Sequence, residues 1–289
     1  MSDSIEHVSD TALWVATYRA LESERPDALF HDPLAAQLVG ERGRRIAAAM
    51  KSGNIVQWAV VLRTCMIDEI ILAAIAEGVD TVLNLGSGLD TRPYRMELPP
   101  ALRWVEVDYP HLQEFKAKRL GAASPRCVLE SVSLDLADRA AREELFVRVE
   151  AQAKKVLVLT EGVTPYLSND EVGDLADALH RREKFQFWVL DYNHSQNRFS
   201  TIGQRRMRQQ LKNAPFKFVP PDWIQFFAWH RWEVKELRYY SEESERRKRP
   251  FKAPWRFMVV FFFRLLFTSR KEREEMRRWN GFAVLRPVR

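Results

Sequence analysis

An apolar run, Thr81-Val82-Leu83-Asn84-Leu85, stops at Gly86-Ser87-Gly88, and a second run starting at Arg103 closes in Asp108. Glycine has no Cβ and accepts positive φ, so a strand ending in Gly-x-Gly lets backbone approach a ligand closely. A carboxylate that ends the next strand about twenty residues later stands where a doubly wound sheet offers an acid to a ribose. The pair reads as a nucleoside-cofactor site. Taken alone it competes with two simpler readings, an unliganded turn and an aspartate that only caps the next helix.

The elements that would hold these residues follow from pattern. Apolar, β-rich runs alternate with helical periodicity, which argues for a mostly parallel sheet covered on both faces. Seven strands are expected at 81–85, 104–107, 127–133, 156–160, 185–191, 232–240 and 282–287. A long helix over 58–76 should end at Glu77-Gly78, with the glycine as its left-handed cap. Ser168-Asn169-Asp170-Glu171 has the composition of a capping box opening another helix. Two final strands separated by a long excursion fit a sheet whose last strand is antiparallel and inserted beside the fifth. By analogy, that arrangement resembles the sheet of class I methyltransferases, and the resemblance implies an α/β (Rossmann-like) seven-stranded sheet in one domain over 1–289: a helical N-terminal cap at 1–80, a cofactor-binding core at 81–193, and lid insertions with the last two strands at 194–289.

Bulk properties narrow the class. A chain of 289 residues that is 46% hydrophobic can bury one large core. Cys65 and Cys127 are the two cysteines, without disulfide or metal-ligand spacing, so no metal is expected and a reducing cytoplasm is the simplest home. The first ten residues carry three acids and no apolar block, which predicts no secretory signal. The strip 255–267 is the longest apolar stretch, but it contains Arg256 and Arg264 and falls short of the roughly 18 residues a bilayer span needs. It reads as a lid helix, with an interfacial helix making peripheral membrane contact as the alternative. The net charge of +6 collects near the C-terminus, in Arg246 to Arg249 and in Arg270 to Arg278. That excess reads as a solvated face rather than a nucleic-acid footprint.

Five separated motifs carry a family resemblance: Thr11-Ala12-Leu13-Trp14-Val15-Ala16, Arg25-Pro26-Asp27-Ala28-Leu29-Phe30-His31-Asp32-Pro33, the run Leu85 to Arg95, Val105-Glu106-Val107-Asp108-Tyr109-Pro110, and Thr160-Glu161-Gly162-Val163-Thr164-Pro165-Tyr166-Leu167. In order and spacing they resemble the bacterial S-adenosylmethionine-dependent methyltransferases related to leucine carboxyl methyltransferases. The resemblance implies S-adenosylmethionine as cofactor, with Arg63 on its methionine carboxylate, Gly86 and Gly88 beneath its methionine portion, and Asp108 on its ribose. It also implies Asp135 and Leu136 at the adenine and Glu161 at the cofactor's amino group, while Asp90 is expected to tie down the glycine turn. Three positions depart from the wider pattern: Asn84 replaces an acid, the third glycine of a longer loop is absent, and Thr160 stands where a smaller residue is expected.

Methyl transfer from a sulfonium is an in-line displacement, so such a protein mainly aligns and desolvates its reactants, and no catalytic dyad is required. Tyr166, Tyr192 and His194 follow the fourth and fifth strands and are the acceptor-side candidates. The aromatics of 216–232 read as core, with an apolar acceptor pocket as the alternative. The implied function is O-methylation of a carboxyl or hydroxyl on a small, apolar metabolite. An RNA methyltransferase and a catalytically silent cofactor-binding protein are the competing readings, the first carried only by the basic balance.

Overall fold

The computed structural model describes residues 8–49, 53–193, 215–251 and 268–289. Its centre is a seven-stranded sheet in the order β3-β2-β1-β4-β5-β7-β6. The strands are β1 (Thr81–Leu85), β2 (Arg103–Asp108), β3 (Val128–Ser133), β4 (Val156–Thr160), β5 (Phe185–Asn193), β6 (Trp232–Tyr239) and β7 (Asn280–Pro287). Each lies within two residues of its expected span. β1, β2, β3, β4 and β5 pair in parallel, and β7 runs antiparallel between β5 and β6. β1 and β4 are buried along their whole length, as their mostly apolar sequences suggest of strands covered on both faces. β3 lies at an edge, and its polar, half-exposed sequence shows it.

One face packs against α6 (Arg139–Gln152), α7 (Asn169–His180) and α8 (Trp223–Trp229). The other packs against α3 (Gly53–Ala76) and α9 (Tyr240–Arg246). A third apolar cluster joins α1 (Val8–Ser23), α2 (Pro33–Ala49), α3 and α5 (Pro110–Leu120), and forms the helical cap expected ahead of the first strand. Two short helices, α4 (Arg92–Arg95) and α10 (Arg270–Arg277), and a 3-10 turn at Thr164–Tyr166 complete the described elements. The α3 terminus follows its sequence signal: Gly78 has φ +92°, its N–H donates to the Ile75 carbonyl, and Val79 N–H reaches back to Ala74. The Ser168 and Glu171 capping box is also formed.

Most of the aromatic run takes the core reading, while Trp229 is exposed and Phe216 lines the cavity. Trp188 of β5 meets the rings of Phe227 at 5.4 Å and Trp232 at 5.5 Å, and Trp223 and Phe226 are buried with them. From the stretch 215–251 it is Phe216, Lys217 and Tyr240 that reach the cavity described below. His194 and the strip 255–267 lie outside the described residues. Among the described residues no helix is long and apolar enough to cross a membrane.

Candidate functional site

The turn after β1 is built as the glycines predict. Gly86 and Ser87 both donate to the Val107 carbonyl, and Gly86 and Gly88 take φ values of +69° and +52°. A Cβ on Gly86 would sit 2.4 Å from Val163 Cγ2, so this glycine is also fixed by the loop after β4 packed against it. Asp108 closes the turn: its Oδ2 accepts from Gly88 N–H at 2.6 Å and its Oδ1 from Tyr109 N–H at 2.8 Å. Each oxygen keeps a further lone pair for a ligand hydroxyl. Burial pushes the Asp108 carboxyl up, and the two backbone donors oppose it. The helix-cap alternative fails, because the residue capping α5 is Tyr109 and it makes no side-chain cap.

Behind the turn lies a buried ion network with Arg92 at its centre. Arg92 reaches Asp68 at 2.7 Å, Asp90 at 2.9 Å and Glu161 at 2.7 Å while only 1% of its side chain is exposed. Asp90 also accepts from the Asn84 amide at 2.9 Å and from Arg92 N–H, so it ties down the turn as expected. The departure at position 84 is thereby explained, since an acid there would face Asp90 and Asn84 supplies a donor. Thr160 has a similar local reason: its hydroxyl accepts from the buried Trp188 indole at 2.9 Å. The network continues outward, with Arg95 on Asp68, Thr91 and Arg19 on Asp32, and Arg19 also on the Leu89 carbonyl. These last links fasten α1 and the start of α2 to the glycine turn.

A cavity of about 550 Å³ opens over the strand tips. Arg63, Gly86, Gly88, Asp108, Asp135, Leu136, Glu161 and Tyr166 all line it. Arg63 projects from α3, and its Nε lies 2.8 Å from Glu161 Oε1, yet out of line, so this buried N–H has no hydrogen-bond partner. Burial works against the charge of Glu161, but Arg92 and Arg63 outweigh it and hold the carboxyl below its ordinary range. Asp135 is exposed and accepts from Ala137 N–H at 2.9 Å, an Asx turn that presents the loop to the cavity. Tyr166 is shielded beside Phe216, ring centroids 5.3 Å apart, and burial pushes its phenol up to about 12.

Tyr192 is the correction. It does not line the cavity; its ring packs against Trp223 at 5.1 Å and Tyr239 at 5.8 Å in the aromatic core. Strand alternation turns the preceding residue the other way. Asp191 accepts from Gly162 N–H at 2.8 Å, and burial pushes it up to about 6 although Arg63 and that amide pull it down. Sequence reasoning also passed over the cap and α3 residues of the cavity, Trp14, Val15, Val56, Ala59 and Val60. Their only signal was membership of an N-terminal motif or of an apolar helix, neither of which says what faces a ligand.

The arrangement suits a zwitterionic nucleoside ligand such as S-adenosylmethionine. The cavity combines the Arg63 guanidinium, the Glu161 and Asp108 carboxylates, and Ser87 Oγ, a buried group without a partner, which match in chemical type a carboxylate, an ammonium and ribose hydroxyls. Among the described residues no cluster suits a metal ion.

Known proteins agree with this geometry. A Streptomyces coelicolor protein is 37% identical over 176 residues, covering 56% of this chain and 60% of that protein. A Mycobacteroides abscessus protein is 35% identical over 191 residues, covering 60% and 61%. Both are named "Putative S-adenosyl-L-methionine-dependent methyltransferase". The chain thus aligns with about three fifths of these relatives' length. A DUF574 family protein from Streptomyces avermitilis shares the fold with a TM-score of 0.55 at 12% identity, over 96% of this chain and 97% of the other. A Thermobifida fusca protein does so with a TM-score of 0.55 at 14% identity, over 95% and 94%. Strand order, the inserted antiparallel β7 and these likenesses establish the class I methyltransferase fold. A sequence model of the leucine carboxyl methyltransferase family matches residues 12–180, more than half of the 289, and the chain belongs to that family.

Proposed function

We propose that the protein is an S-adenosylmethionine-dependent O-methyltransferase acting on a carboxyl or hydroxyl group of a small, apolar metabolite. The observation that carries this reading is one cavity lined together by Arg63, Asp108, Asp135 and Glu161, inside a chain of this family. When bound, the cofactor supplies an activated methyl group. Arg63 would hold its carboxylate, Glu161 its ammonium, Asp108 its ribose, and the Asp135-Leu136 loop its adenine.

Val15, Val56, Ala59 and Phe216 give the cavity an apolar wall, and we assign the acceptor to that wall. Such walls favour an apolar acceptor and exclude water from the reacting oxygen. Tyr166, its phenol held protonated at neutral pH, can donate to that oxygen but not take its proton. A carboxylate acceptor needs no base, which favours carboxyl over hydroxyl transfer.

The competing readings lose support. Arg246 and Arg247 pair with Glu69 and Glu243, and Arg249 pairs with Glu22 and Asp27, so the basic cluster offers RNA little free charge. A silent binding protein would bind the cofactor without turnover. Two buried free cysteines fit the cytoplasmic location that this reading carries. The test is incubation with radiolabelled S-adenosylmethionine and a fractionated extract of the native cell. Base-labile label in a small molecule is the expected result. A base-stable product would replace ester with ether formation, and binding without any transfer would favour the silent protein.

A further inference from the structure

We propose that the Tyr240 hydroxyl is a second donor, beside Arg63, to the carboxylate of the bound cofactor. The inference rests on the cofactor reading above and adds to it a residue from the C-terminal part of the chain, beyond the region the family model matches. Tyr240 opens α9 directly after β6. Tyr239 sends its ring to Tyr192 in the aromatic core, and Tyr240 turns to the α3 side, where its ring packs against Trp58 at 5.9 Å and Phe282 at 6.5 Å. Rings on two sides fix the phenol, so little side-chain freedom is left to lose when a ligand binds.

Tyr240 is buried, yet it lines the cavity. Burial acts on its phenol, together with the charges of Arg63, Asp191 and Glu161. A buried tyrosine hydroxyl ordinarily finds a partner. Burial keeps the hydroxyl protonated, so it can donate. Its nearby carboxylates are engaged elsewhere: Glu161 with Arg92 and Arg63, and Asp191 with Gly162 N–H. Arg63 has an unpaired buried N–H in the same wall. One charged and one neutral donor, both lining one cavity, suit an anionic oxygen pair.

The test is calorimetric binding of S-adenosylhomocysteine and of 5′-methylthioadenosine, which lacks the amino-acid end, to the full chain and to Tyr240→Phe. Loss of a hydrogen bond to a charged group should weaken S-adenosylhomocysteine binding about tenfold. Methylthioadenosine binding should stay within about twofold, since the aromatic packing is kept. In combination with Arg63→Gln, the loss should be smaller than the product of the two single losses, because both donors serve one group. Unchanged S-adenosylhomocysteine affinity in Y240F, an equal loss for both ligands, or a fully multiplicative double variant would overturn the assignment. A wild-type chain that binds no S-adenosylhomocysteine would instead overturn the cofactor reading itself.

Discussion

The two ends of the cavity are made by opposite means. At the cofactor end, charged side chains are fixed by other charged side chains: Arg92 holds Asp90, Asp68 and Glu161, while Asp108 is held by backbone N–H groups. On the wall proposed for the acceptor, Val15, Val56, Ala59 and Phe216 offer apolar side chains to the cavity. Directional networks specify one ligand closely, because every unpaired member costs free energy. Apolar walls specify little beyond size, since one methylene changes affinity by only about 1–3 kcal/mol. The cofactor is therefore readable from the residues, whereas the acceptor is readable only as a class.

The largest effect expected from this contrast is on ligand binding. Asp108→Ala removes an acceptor for two ribose hydroxyls, and S-adenosylhomocysteine affinity measured by calorimetry should fall at least about a hundredfold. Val56→Phe, which fills space at the other end, should leave that affinity within about twofold while stopping methyl transfer to the native acceptor. If V56F weakens the cofactor as much as D108A does, the two ends are not separate.

The ion network gives the next effect. Arg92→Met leaves Asp90 and Glu161 short of their central cation in a buried place, and unfolding in urea should show a loss of about 3–5 kcal/mol. Removing one partner of a buried pair is costly even where the intact pair contributes little. A loss below about 1 kcal/mol would mean that water reaches these carboxylates, and that the end described here as rigid is not.

A smaller effect tests the glycine turn. Gly86→Ala places a Cβ against Val163 Cγ2 and adds strain at φ +69°, so stability should drop by about 1–3 kcal/mol. Val163→Ala in the same chain should recover the steric share and leave the backbone share. If the double variant is no better than G86A alone, the glycine serves only its dihedral.

What could be read in the chain follows the same division. β1 and β4 are mostly apolar because both their faces are covered, and Gly-x-Gly is joined to Asp108 through the Gly88 N–H. The same continuity hid parity. Phe187 to Leu190 is apolar at every position, so nothing in the run says that Tyr192 turns into the aromatic core, away from the cavity, while Asp191 turns to Gly162. Tyr240 was invisible for another reason: its place against Trp58 of α3 comes from β6 folding back beyond β7, a contact across more than 180 residues. Asn84 and Thr160 looked like departures only because their partners, Asp90 and Trp188, are fixed by the turn and by the sheet.

Asp191 gives the smallest effect and the finest test of the border between the two ends. Burial raises its folded pKa from the ordinary aspartate value to about 6, so between those values the folded state binds more protons than the unfolded chain. Stability contributed by this group is therefore greatest at low pH and declines as pH rises toward 6. Glu161 and Asp90 have lowered folded pKa values and act in the opposite direction, losing their contribution as pH falls. Those terms are common to the wild type and to Asp191→Asn, and cancel in the difference between them. The asparagine can still accept from Gly162 N–H through its amide oxygen. D191N should thus gain stability relative to wild type as pH rises from 4 to 7 in matched urea titrations, and the gain should level off above about 7. A difference independent of pH would mean that Asp191 is ionised without penalty, and that the charged end of the cavity extends past Arg63 to the tip of β5.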